Sequence, residues 1–73
     1  MKKKAIVIKA AYVDIKNMLD YFKNIAFDLY LQDAISRAEQ NSLWSMLNSP
    51  DRENWLIAET IIRNKVEEHN ESI

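Results

Sequence analysis

Apolar side chains at Ile15, Met18, Leu19, Phe22, Ile25, Ala26 and Leu29 recur at the three- and four-residue spacings that gather them on one face of an α-helix. Asp14 is placed to cap that helix, with Val13 and Met18 closing a hydrophobic staple across the cap. The seam runs backward through Ala11 or Tyr12 to Ile8, so the helix can begin near Ala5. Two features oppose this extension. Ile6, Val7 and Ile8 are β-branched and favour extended chain, and Lys2 to Lys4 would crowd a positive helix end. The balance falls slightly to helix.

Beyond Leu29 the pattern changes phase. At 100° per residue, Leu31, Ala34, Ile35 and Ala38 are rotated by roughly half a turn from the first seam, together with Phe27. Two readings stand. The chain turns between residues 28 and 33, with Asp33 as a cap, and folds into a compact domain. Alternatively one long helix carries two opposed apolar faces that other chains must cover. After Asn41-Ser42, the residues Leu43, Trp44, Met46 and Leu47 shift phase again and suggest a separate short turn of helix.

The sharpest punctuation is Asn48-Ser49-Pro50-Asp51-Arg52-Glu53. Ser49 suits an N-cap, Pro50 the first helical position, and Asp51 and Glu53 complement the dipole. A helix is expected over residues 50–68, burying Trp55, Ala58, Ile61, Ile62 and Val66. Glu59, Arg63 and Glu67 form a charge ladder opposite, Leu56 lies off the apolar stripe and Ile57 flanks it. Glycine is absent and Pro50 is the sole proline, which disfavours tight hairpins. The expected fold is all-α: one domain over residues 1–73, a helical hairpin plus a C-terminal helix. Residues 1–4 form a basic end and 69–73 a frayed tail, with one elongated helix and an oligomeric core as the alternative.

Seventy-three residues lie near the lower limit for a self-sufficient core, and without cysteine no disulfide can brace it. Self-association is the reinforcement left, and 48% apolar residues supply material for it. Ten basic and eleven acidic residues give a net charge of −1, so nucleic-acid binding by phosphate neutralisation is not expected. Lys9 interrupts the apolar run after Lys2 to Lys4 too early for a secretory signal, and no stretch approaches transmembrane length. A cytoplasmic protein without membrane attachment is expected.

Catalysis is not expected either. Cysteine and a Gly-rich phosphate loop are missing, and the single histidine, His69, sits in an acidic tail with Glu67, Glu68 and Glu71. Asp14, Asp20, Asp28 and Asp33 are spaced as solubilising groups along polar faces. No metal and no cofactor are expected. Asn70-Glu71-Ser72 fits the glycosylation pattern, read here as coincidence.

What the sequence offers is surface. Tyr21, Phe27 and Tyr30 lie beside the first seam, and Leu31, Leu56 and Ile57 are apolar residues that a small core cannot absorb. These six are the expected partner-binding residues. The segment Leu43-Trp44-Ser45-Met46-Leu47-Asn48-Ser49-Pro50-Asp51-Arg52-Glu53, followed by Leu56, Ala58, Ile61 and Ile62, resembles one HEAT-type helical hairpin. That resemblance implies a helix–turn–helix unit and a protein-binding role, although such arrays need about three units. The order of a β-branched run before helices is similar to ribbon-helix-helix repressors, which implies a dimeric DNA-binding regulator. There Ile6, Ile8 and Ala10 would face inward and Ala5, Val7, Lys9 and Ala11 would face DNA, leaving one polar side chain to read bases. The favoured expectation is a small protein-binding or assembly module, homo-oligomeric, of the adaptor or inhibitor kind that phages and mobile elements encode.

Overall fold

The structure, a computed structural model, describes residues 3–9 and 14–73. It contains α1 (Ile15–Leu31), α2 (Arg37–Leu47) and α3 (Arg52–Glu71), each packed against both others. Among the described residues there is no strand. The three-helix expectation holds, and the single elongated helix does not form.

Each boundary has a local cause. Asp14 caps α1 by accepting from Asn17 N at 2.8 Å. The staple through Val13 lies outside the described residues. α1 stops where Asp33 takes φ 60°, with Ala34 N donating to Leu29 O at 2.8 Å and Asp33 N to Tyr30 O at 3.0 Å. This is a Schellman stop, with aspartate in the left-handed position that glycine usually fills. Asp33 therefore ends a helix and does not begin one, contrary to expectation. The next cap is Ser36, whose Oγ accepts from Glu39 N at 3.1 Å while Glu39 Oε1 accepts from Ser36 N at 3.0 Å. That capping box starts α2, so Leu43 to Leu47 continue it and form no separate turn.

α3 begins two residues later than expected. Asp51 is its N-cap, accepting from Glu53 N at 3.0 Å, and Pro50 lies outside the helix. Ser49 supports the turn instead, its Oγ accepting from Asp51 N and Asn54 Nδ2. The anticipated fraying from His69 onward does not occur. The helix continues to Glu71, where Ser72 donates through N to Glu68 O and through Oγ to His69 O.

The core joins Phe22, Ile25, Ala26 and Leu29 of α1 to Leu43 and Leu47 of α2 and Ala58, Ile62 and Val66 of α3, with Ile35 entering from the α1–α2 turn. That turn reverses the chain, so Ile35 reaches the interior that the first seam fills, while Phe27, Leu31 and Ala38 of the opposed set stay exposed. Ile15, at the start of the seam, stays exposed. Arg37 stacks 5.2 Å above the Tyr30 ring and Trp44 Nε1 donates to Lys23 O at 3.0 Å, which fixes α1 and α2 as antiparallel. Arg63, expected on the outer charge ladder, does bond Glu59 at 2.9 Å, yet its guanidinium also covers the buried Phe22 ring at 5.4 Å.

Residues 3–9 form neither helix nor strand, so a helix starting at Ala5 is ruled out. Ile6 joins the core, Ile8 is half-buried, and Ala5, Val7 and Lys9 face outward. This is the alternation the ribbon-like comparison placed there; Ala10 and Ala11 lie outside the described residues. β-Branched side chains on alternate positions suit an extended segment with one covered face.

Candidate interaction surfaces

The six residues expected to meet a partner fall in three places. Phe27 and Tyr30 are neighbours on α1, ring centroids 6.3 Å apart, with Arg37 over Tyr30. Leu31, one turn beyond Phe27, is 54% exposed, and Phe27 itself 38%. Leu56 and Ile57 stand out from α3 at 57% and 48% exposure. Tyr21 is different. Its hydroxyl accepts from Lys9 N at 2.6 Å and donates to Val7 O at 3.3 Å, so it holds the chain's own N-terminal segment.

Around Leu56 and Ile57 lies a shallow depression of about 320 Å³ completed by Glu53, Thr60 and Ile61. Ile61 also borders a groove of about 250 Å³ between α2 and α3, floored by Ile35, Ala38, Leu43 and Met46. The two hollows share Ile61 as a lining residue. Glu39 stands at the rim of the groove. Hydrogen bonds from the Ser36 backbone and hydroxyl, then the nearby Lys65 charge, hold its carboxyl below the ordinary 4.5. Lys65 Nζ lies 3.9 Å from Glu39 Oε2. The rim is charge-compensated and the floor is oily.

The groove floor was not anticipated. The signal for it was the Ser36-Arg37-Ala38-Glu39 box, which fixes the phase of α2 and places Ala38, Ser42 and Met46 at four-residue steps on one face.

A second construction was also missed. Four side chains hold the extended segment by its backbone. Gln32 Oε1 accepts from Lys4 N at 2.7 Å, and His69 Nε2 lies 2.8 Å from Lys4 O and 3.1 Å from Gln32 Oε1. Both His69 contacts are to carbonyl oxygens, so Nε2 carries the proton and donates. Asn70 makes a two-point clamp: Oδ1 accepts from Ile6 N and Nδ2 donates to Ile6 O, both at 2.9 Å. Tyr21 holds the opposite edge. His69, expected in a solvated tail, is only 4% exposed. Buried polar groups need partners, and the backbone of the extended segment supplies one here.

Among the described residues, no three histidine or carboxylate side chains come together to hold a metal, and no helix is long and apolar enough to cross a membrane. The hairpin implied by the HEAT-type comparison is present as α2 and α3. Comparison with protein-family models, curated proteins and solved structures returns no match for this chain.

Proposed function

We propose that this chain is a non-enzymatic protein-binding and assembly module, and that the α2–α3 surface around Ile61 pairs with the same surface of a second copy. The observation that carries this is a knob beside a hole. Leu56 and Ile57 protrude from a depression that shares Ile61 with an apolar groove of about 250 Å³. A two-fold pairing lets each copy seat its protruding pair in the other's groove, the self-complementarity an isologous interface requires. Apolar side chains entering a desolvated pocket supply most of the affinity in such contacts. The charge-compensated Glu39–Lys65 rim meets its own copy without large like-charge repulsion.

Methyl NMR on dilution tests this. The Leu56, Ile57, Ile61 and Met46 methyl resonances are expected to shift together with concentration, while the buried Leu29 and Val66 stay fixed. Concentration-independent spectra across the millimolar range contradict the reading.

The α1 patch of Phe27, Tyr30 and Leu31 is a second docking face, for a different protein partner. Its aromatic pair and stacked Arg37 match the residue types that concentrate interface energy. Phe27→Ala or Leu31→Asp weakens binding there and leaves self-association through α2–α3 intact.

A further inference from the structure

We infer that the cleft between α1 and α3 receives the N-terminal segment of a second copy, so that two chains exchange their extended arms. The hydrogen bonds holding the arm join side chains of the helical body to arm backbone: Gln32, His69 and Asn70 to Lys4 and Ile6, and Tyr21 to Val7 and Lys9. Recognition of that kind depends on an extended backbone and not on which molecule supplies it. Specificity comes from the fit of Ile6 into the core and from charge. Three carboxylates, Glu67, Glu68 and Glu71, lie on the last turns of α3, and Lys3 and Lys4 lie on the part of the arm nearest Gln32 and His69. Lys3 shares a polar hollow with Asp33, Glu68 and His69, and with Lys65, which already pairs with Glu68 and Glu39. The C-terminal end of α3 adds its partial negative charge near Lys3.

The body keeps most of its core without the arm, because Ile6 is the only described arm residue in the buried set. Release of the arm therefore leaves three packed helices and a vacant cleft whose best-fitting occupant is an identical arm. Exchange of identical elements conserves every contact in the cleft and needs no new complementarity. This interface is separate from the α2–α3 surface and stands or falls without it.

The chain has no cysteine, which allows a clean trapping experiment on full-length protein. Val7 and Glu67 line the same groove and both are exposed, so each tolerates replacement. Val7→Cys chains are mixed with Glu67→Cys chains and oxidised with oxidised glutathione, with Arg52→Cys as a control at the far end of α3. The expected result is a Val7→Cys/Glu67→Cys heterodimer at least tenfold more abundant than the Val7→Cys/Arg52→Cys product. Adding Asn70→Ala to the Glu67→Cys chain should cut that yield several-fold. Asn70 is exposed, so its loss does not threaten the core. Adding Leu56→Asp to both chains should leave the yield unchanged. Three results overturn the inference: equal yields with both acceptors, loss of the product with Leu56→Asp, or a Val7→Cys/Glu67→Cys double variant that closes only within single chains.

Discussion

At φ 60°, Asp33 holds a backbone conformation in which a side chain crowds the following carbonyl. Aspartate tolerates it because its short carboxylate can bond locally, whereas a β-branched residue cannot. Asp33→Ile is expected to destabilise the fold by about 1–2 kcal/mol. Thermal unfolding should register about 4–8 °C per kcal/mol in a domain of this size. An unchanged Tm would mean that the turn relaxes. Gln40 offers the opposite opportunity. It is buried, and no partner lies within reach of its Oε1. Since an unsatisfied buried oxygen costs about 1–3 kcal/mol, Gln40→Met should raise stability by about 1 kcal/mol in urea titration. A loss of that size would show that the amide is paired.

α2, the shortest of the three helices, starts at the Ser36–Glu39 capping box. Ser36→Ala removes its N-cap and should cost about 1 kcal/mol in chemical denaturation. The acid dependence follows from Glu39. Its folded carboxyl titrates below the ordinary 4.5, so the stabilisation is complete above 4.5 and is lost as pH falls through the lower folded value. Glu39→Gln keeps an acceptor for Ser36 N but no charge. Wild type should exceed this variant in Tm above pH 4.5, and the gap should close below it. A gap that persists in acid contradicts the assignment. The same elements show what was readable beforehand. The buried stripes of α1 and α3 were legible because their spacing repeats over several turns. The α1 stop was not, because the chain has no glycine and Asp33 takes that role without a compositional sign. The arm misled because Ile6 and Ile8 satisfy a helical seam and a two-residue alternation equally well. His69 and Asn70 were hidden for a different reason: their partner is backbone more than sixty residues away, and no local pattern reports it.

At the scale of the molecule, a radius of gyration of 11.8 Å is close to the roughly 11 Å expected for 73 residues. The turn after Leu31 brings Ile35, and Ala34 in part, into the interior that the first apolar seam fills, while Phe27, Leu31 and Ala38 stay exposed. Leu31, Leu56, Ile57 and Val7 remain on the surface, and Leu56, Ile57 and Val7 line shallow apolar depressions. Single exposed aliphatic residues are ordinary, and it is the clustered ones beside hollows on which the proposed docking rests. Of the six residues expected at an interface, Phe27, Leu31, Leu56 and Ile57 are exposed and Tyr21 and Tyr30 half-buried, and their division into separate faces follows from the chain reversal at Asp33. The α1 and α2–α3 faces should respond separately to substitution, because the depression at Leu56 and Ile57 is lined by α3 alone.

The most direct measurement is sedimentation equilibrium of wild type and Leu56→Asp over the same concentration series. Wild type is expected to exceed the 8.6 kDa chain mass increasingly with concentration, with Leu56→Asp lighter at every point. A wild-type protein that stays at one chain mass, or two curves that superimpose, would contradict assembly through the α2–α3 face.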